Sequence, residues 1–330
     1  MNSKSLVQPL FEGPIDIVGD VHGEIDALHS LLRHLGYDSD GSHPDDRRLV
    51  FVGDLTDRGP DSPAVVARVQ SLIESGRAQC VLGNHEFNIL VGHKKAENKW
   101  FWGDDFLDKD GSVVPQVLAD DSTRQRVRTF FQTLPIALAR DELRVVHACW
   151  DDGAIGVAKD ATDVISLFKH HAAVIDRKLA VSDLDDIDRG LIYQNRNPVQ
   201  LLLSGPEERT DEPVKAGGKM RNERRVHWWN NFGNAFCVFG HYAIPNGKSR
   251  DNGWAFCLDY GVGHRWTERR EGKTTGFSWR LAAMRFPERM VVFDDGREQR
   301  CTMAKILTGD DLPAIKEAIA TFQNGLDAYF

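Results

Sequence analysis

The chain has 330 residues, 41% hydrophobic and 27% charged, with 29 Gly, 13 Pro and 5 Cys. These proportions are those of an ordinary globular protein and exclude a disordered tail, a collagen-like repeat and a disulfide-stapled mini-domain. A formal net charge of -8 argues against a general polyanion surface, because sequence-independent nucleic-acid affinity comes from many Lys and Arg contacts to phosphates.

The stretch MNSKSLVQPLFEGP has no apolar signal-peptide core, and no run approaches the roughly 18 apolar residues of a membrane span. Cys80, Cys149, Cys237, Cys257 and Cys301 form no CxxC pair and read as small buried hydrophobes of a reducing compartment. A cytoplasmic location is expected, with neither a membrane nor a nucleic-acid partner. Nothing in the pattern sets an oligomeric state.

Three strand-loop-helix units open the chain. Ile15 to Val18 is an apolar run ending in Gly19-Asp20, followed by Ile25, Leu28, Leu31, Leu32 and Leu35 at helical spacing and a stop at Gly36. Leu49 to Val52 ends in Gly53-Asp54 before a helix from Asp61-Ser62-Pro63 that carries Val65, Val69, Leu72 and Ile73. Gln79 to Leu82 ends in Gly83-Asn84-His85-Glu86. After a Trp- and Asp-rich segment, Lys99 to Asp110, helical spacing returns over Arg124 to Leu134. A strand, Leu143 to Val146, then ends in His147. From about 150 to 232 the pattern is an insertion, with a helix over Ala161 to His171 and a turn-rich stretch, Ser204 to Gly218. Strands return at Ala235 to Phe239, ending in Gly240-His241, and at Trp254 to Leu258, ending in Asp259. Phe277 to Leu281 and Met290 to Phe293 read as strands of a second sheet, and Pro313 to Tyr329 as a terminal helix. Strands alternating with helices predict an α/β fold with a largely parallel sheet, in which ligands gather at the carboxyl ends of strands. One domain over residues 1–330 is expected, because the polar clusters run from Asp20 to His241 and leave no place to divide the chain.

The chemistry lies in those clusters: Gly19-Asp20-Val21-His22-Gly23, Gly53-Asp54-Leu55-Thr56-Asp57-Arg58-Gly59, Gly83-Asn84-His85-Glu86, Val146-His147 and Gly240-His241. A single Asp or Asn after a strand is ordinarily a turn or cap residue. Six such groups at strand ends form a donor set of carboxylate, amide and imidazole, which suits divalent cations, and the absence of cysteine disfavours a structural zinc site.

This set resembles the metallophosphoesterase superfamily, and its GDxHG, GDxxDRG and GNHE forms resemble the phosphoprotein-phosphatase branch, over about Ile15 to Gly261. The resemblance implies a two-sheet β-sandwich core flanked by helices, with mostly parallel strands around the site. It implies two divalent cations, manganese first and iron, zinc or magnesium as alternatives. Asp20 and His22 would hold one, Asp54 would bridge, and Asn84, His147 and His241 would complete the second. A water activated by these cations would be the nucleophile. His85 would be the general acid with Asp57 behind it, and Arg58 a bidentate phosphate ligand. Asn84 would also meet substrate, and Arg221 in the basic run before His241 is the nearest match for a second phosphate-binding arginine. The chain departs from the family at His147, which Ala148-Cys149-Trp150 follow where Gly-Gly is more usual.

Asp57-Arg58-Gly59 and Asn84-His85-Glu86 favour a serine/threonine protein phosphatase. Phe239-Gly240-His241-Tyr242-Ala243 and Leu258-Asp259-Tyr260-Gly261 look more like a symmetrical dinucleoside-tetraphosphate hydrolase, which carries Ala-Arg-Gly and Asn-His-Asp at the earlier motifs. Phosphorylated protein or a small phosphoester is therefore the expected partner. A non-catalytic phospho-binding protein is the remaining alternative, and the intact set of ligands and acid weighs against it.

Overall fold

The computed structural model describes residues 4–108, 110–216, 219–233, 235–244 and 250–301. In chain order the first elements are β1 (Val7–Pro9), β2 (Ile15–Val18), α1 (Ile25–Leu35), β3 (Arg48–Phe51), α2 (Ser62–Glu74), β4 (Ala78–Cys80) and α3 (Asn84–Leu90). Next come α4 (Lys99–Trp102), β5 (Phe106–Leu107), β6 (Val113–Val114), α5 (Asp121–Phe131), β7 (Ala137–Arg140) and β8 (Leu143–Val146). The insertion holds α6 (Asp152–Lys159), α7 (Val164–Leu179), α8 (Asp186–Arg196), α9 (Pro198–Ser204), β9 (Glu207–Ala216) and β10 (Lys219–Arg225). The chain then forms β11 (Phe236–Phe239), β12 (Ala255–Cys257), α10 (Arg265–Arg270), β13 (Ala282–Phe286), β14 (Met290–Phe293) and β15 (Glu298–Arg300).

Two main sheets result. One has the order β15-β14-β13-β2-β3-β4, the other β1-β7-β8-β11-β12. The strands that matter for the site are parallel triplets: β2, β3 and β4 in the first sheet, and β8, β11 and β12 in the second. Parallel pairing points all three carboxyl ends of each triplet the same way. The remaining strands of the first sheet are antiparallel. Buried residues of both sheets belong to one apolar cluster that runs from Leu6 to Cys301.

The first two helices form where the sequence places them. In α1, Leu28, Leu31, Leu32 and Leu35 are buried, and Gly36 closes the helix in a left-handed conformation at φ 93°, a geometry that glycine adopts without steric cost. Asp61 caps α2 through the Ala64 N–H at 2.9 Å.

Three expectations shift. The insertion helix is Val164–Leu179 rather than Ala161 to His171, because Asp163 caps it through the Ser166 N–H at 2.6 Å. Most of the turn-rich stretch Ser204 to Gly218 is strand β9, paired antiparallel with β10. Phe277 to Leu281 is not a strand: the Ser278 and Trp279 N–H groups donate to the Glu268 carboxylate, and Arg265 and Arg269 lie 4.8 and 5.1 Å from the Phe277 ring centre. The strand follows at Ala282–Phe286. The expected helix at Pro313 to Tyr329 lies outside the described residues.

Candidate metal centre

Each strand of the two parallel triplets runs out into a polar loop. Val18 leads to Asp20 and His22, Phe51 to Asp54, Cys80 to Asn84 and His85, Val146 to His147, Phe239 to His241, and Cys257 to Asp259. Backbone bonds stitch the loops together. The Val21 and His22 N–H groups donate to the Asp54 carbonyl at 3.0 and 2.9 Å, and the Gly240 N–H donates to the His147 carbonyl at 2.8 Å. A Cβ on Gly240 would overlap Asp20 Oδ1, and one on Gly83 would overlap the Asp54 amide and carboxylate. Both positions therefore need glycine for close approach.

The structure brings the ligand atoms of His22, Asp54 and His85 within 4.8 Å of one another, and likewise those of Asp54, His147 and His241. Asp54 belongs to both groups. Asn84 Oδ1 lies 3.0 Å from His147 Nε2 and 2.8 Å from His241 Nδ1, while His147 Nε2 is 3.3 Å from Asp54 Oδ1. Asp20 accepts the His241 N–H on Oδ2 at 3.0 Å. Its Oδ1 is buried without a hydrogen-bond partner, as is His241 Nε2.

The tautomers follow from the surroundings. His22 donates its Nδ1–H to the Thr56 carbonyl at 2.9 Å, and His147 donates its Nδ1–H to the Val52 carbonyl at 2.8 Å. Both rings therefore turn an Nε2 lone pair inward, the arrangement by which backbone carbonyls orient metal-binding histidines. Lone pairs of His147, Asn84 and Asp54 converge on one point, and the buried Asp20 oxygen has no proton donor. A divalent cation satisfies such a donor set; neutral protein groups do not.

Electrostatics divide the same residues. Burial and the Asp259 carboxylate push the Asp20 carboxyl well above its ordinary range. Asp54 is held well below it, because His147 and His85 outweigh the effect of burial. Burial, with Arg58 for His22 and Arg225 for His241, keeps both of those rings well below the usual imidazole value. Burial also opposes a charge on His85, but the Asp54 carboxylate and the Asp57 hydrogen bond prevail and hold it at about 10.

Beside the ligands stands a second group. His85 donates Nδ1–H to Asp57 Oδ2 at 2.6 Å, and Trp100 Nε1–H donates to the other Asp57 oxygen at 2.6 Å. Arg58 Nη1 lies 3.0 Å from His22 Nε2 and Nη2 lies 3.1 Å from His85 Nε2. His22, Asp54, Asp57, Arg58 and His241 all have left-handed backbones, with φ between 47° and 75°; they are five of the seven such non-glycine residues described. Backbone strain of this kind concentrates where the surrounding structure over-determines the chain.

The structure does not bring Arg221 to this group. It is exposed on β10, opposite Val214, about 13 Å along the strand from Arg225 at the usual rise per residue. Arg225 is the arginine beside the site: it donates to the His241 carbonyl at 3.1 Å and lies 5.3 Å from the Tyr242 ring centre.

Sequence reasoning missed three further residues. Glu86 is fully buried and accepts hydrogen bonds from the N–H groups of Asp54, Leu55 and Gly83 at 2.8, 2.9 and 3.1 Å, which ties the β3 and β4 loops together. Its position three residues after Gly83, at the start of a helix, is a legible capping signal. Trp100 and Glu97, which meets Arg58 Nε at 2.5 Å, had no comparable signal.

A family model described as calcineurin-like phosphoesterase matches residues 13–245. The chain is similar to a protein of Anoxybacillus flavithermus named bis(5'-nucleosyl)-tetraphosphatase PrpE, asymmetrical, with 27% identity over 281 residues, 83% of this chain and 90% of that protein. Relatives of the same name in Geobacillus sp. and Bacillus subtilis are 51% identical over 74 residues and 33% identical over 140 residues. Those matches span 22% and 40% of this chain and only 30% and 56% of the relatives. Among solved structures, a cold-active protein-tyrosine phosphatase of a psychrophilic Shewanella shares the fold, with a TM-score of 0.50 and 14% identity over 91% of this chain and 82% of that one. Among the described residues no helix is long and apolar enough to cross a membrane.

Proposed function

The chain belongs to the calcineurin-like phosphoesterase family and is a metal-dependent phosphoric ester hydrolase, and we propose that it cleaves dinucleoside tetraphosphates asymmetrically, into a nucleoside triphosphate and a monophosphate. The observation that carries the chemistry is the place of Asp54 in both close groups, with His22 and His85 in one and His147 and His241 in the other; Asp57 and the Arg58 fork stand against His85. The substrate reading is supported by the name of the Anoxybacillus relative, which is matched over 90% of its length.

Asp20, His22 and Asp54 would hold one divalent cation, and Asp54, Asn84, His147 and His241 the other, with manganese suited to the mixed oxygen and nitrogen donors. The cations supply Lewis acidity to the phosphoryl oxygens and to the attacking water. The protein does the rest. Arg58 presents both Nη groups toward the same space as His22 and His85, where a planar fork can bind two phosphoryl oxygens and offset the charge that develops on them. Once protonated on Nε2, His85 donates that proton to the leaving oxygen, and Asp57 fixes the ring by its Nδ1–H. Trp100 holds Asp57 in turn. Arg225, anchored on the His241 carbonyl, takes the role of second phosphate ligand in place of Arg221.

A second reading, a phosphoserine/threonine protein phosphatase, is favoured by the Asp57-Arg58-Gly59 and Asn84-His85-Glu86 motifs. Purified protein with Mn²⁺ is assayed on diadenosine tetraphosphate, a phosphoserine peptide and an aryl phosphate. The proposal expects a chelator to remove activity, Mn²⁺ to restore it, and kcat/KM for the dinucleotide to exceed that for the peptide at least tenfold. A preference for the peptide selects the second reading. Inertness toward all three substrates with Mn²⁺, Mg²⁺, Fe²⁺ and Zn²⁺ rejects both.

A further inference from the structure

Arg58 and Asp57 are neighbours on a strained loop, and both are gripped from one short segment that contributes no ligand. Glu97 lies in the turn that leads into α4 and Trp100 in the helix itself, three residues on. Glu97 Oε2 accepts from Arg58 Nε at 2.5 Å, and Trp100 Nε1 donates to Asp57. The segment is itself fixed. Asn98, between them, is fully buried; it accepts the Lys95 N–H at 2.9 Å and the Trp102 Nε1–H at 3.1 Å, and donates to the His93 carbonyl at 2.9 Å. Trp100 has no exposed surface at all.

A guanidinium offers five N–H donors in one plane. With Nε–H taken by a carboxylate, the plane can rotate little, and the outer edge formed by the two Nη groups is left for other partners. In this structure they meet His22 Nε2 and His85 Nε2. Both Nη groups therefore border the space between His22 and His85, where the proposed phosphoryl group would sit. The Glu97 side chain is 34% exposed and Arg58 23% exposed, so the pair sits at the mouth of the site.

From this geometry we propose that Glu97 is a positioning residue: it holds Arg58 by Nε so that the Nη fork is aimed at the phosphoryl site before substrate arrives. The inference rests on the reading of Arg58 as a phosphate ligand. Preorganisation of this kind acts on affinity for the phosphoryl group and on the transition state alike.

The test is a double-mutant cycle in the Mn²⁺-loaded full chain, with Glu97→Gln and Arg58→Lys as single and combined changes and Glu97→Asp as a milder variant. Turnover of an aryl phosphate and calorimetric binding of inorganic phosphate are both measured, so that a readout survives where turnover is lost. Glu97→Gln should lower kcat/KM and phosphate affinity about tenfold, the effect of a charge-assisted hydrogen bond, with an unchanged melting temperature. Glu97→Asp should fall between Glu97→Gln and wild type. In the Arg58→Lys background, Glu97→Gln should add less than twofold. Equal loss in both backgrounds, or wild-type behaviour of Glu97→Gln, overturns the proposal. Arg58→Lys with wild-type kinetics and phosphate affinity instead removes the reading on which it stands.

Discussion

The rim of strand ends and the β9–β10 hairpin each bring an arginine beside the ligand set, and they hold it in opposite ways. Arg58 leaves a left-handed backbone position and has Nε, Nη1 and Nη2 engaged by Glu97, His22 and His85. Arg225 reaches in from the end of an exposed strand, with a backbone carbonyl and an aromatic face for partners. Two other hairpin arginines turn to surface acids: Arg224 to Glu208, and Arg209 to Asp185 and Asp188. Exposed pairs of that kind contribute little, because solvent and salt screen them. The rim thus fixes its arginine at three nitrogens, whereas the hairpin holds its own by one hydrogen bond and a ring face.

Substitutions can break this contrast. The largest effect is expected at Asp54, which belongs to both ligand groups. Asp54→Asn should reduce kcat by about a thousandfold or more, since it weakens both cation sites and with them the charge stabilisation of the transition state. Metal content measured beside activity should fall with it. Asp57→Asn should cost roughly ten- to a hundredfold in kcat, within the range of general acid catalysis, and should move the alkaline limb of the rate profile to lower pH. The sign follows from His85, whose pKa is raised above the ordinary imidazole value, in part by Asp57. The protonated acid persists to higher pH with Asp57 present and is lost earlier without it. An unmoved limb would detach Asp57 from the acid. The smallest effects belong to the hairpin. Arg225→Ala should raise KM about three- to tenfold with little change in kcat, and Arg221→Ala should change either constant less than twofold. A kcat effect at Arg225 would join the hairpin to the rim and dissolve the distinction.

The rim was legible because one grammar recurs in four of its loops: a short apolar run, a glycine, then Asp, Asn or His; His147 follows Val146 without the glycine. Ile15–Val18 followed by Gly19-Asp20, and Phe236–Phe239 followed by Gly240-His241, announce both the strand and what it carries. The hairpin was not. Glu207–Ala216 contains four acidic residues and a proline, so its composition reads as turn, and pairing with β10 rather than burial makes it a strand. The choice between Arg221 and Arg225 depended on that pairing, which spacing alone does not supply. Strand β7 was missed because its short Ala-Leu-Ala-Arg run carries little pattern; neighbours on both sides, β1 and β8, define it. Glu97 and Trp100 act on residues 39 and 43 positions away, a relation that no local pattern records.

The five left-handed residues at the site carry one more consequence, for anyone who tries to make this protein tolerate heat. Each holds a side chain in a conformation that costs on the order of 1 kcal/mol or more, so glycine at His22, Asp54, Asp57, Arg58 or His241 relieves the backbone. That relief has a counterweight, since glycine at Asp57 would leave the buried Trp100 Nε1–H without its acceptor, so backbone strain and side-chain bonding pull against each other at these positions.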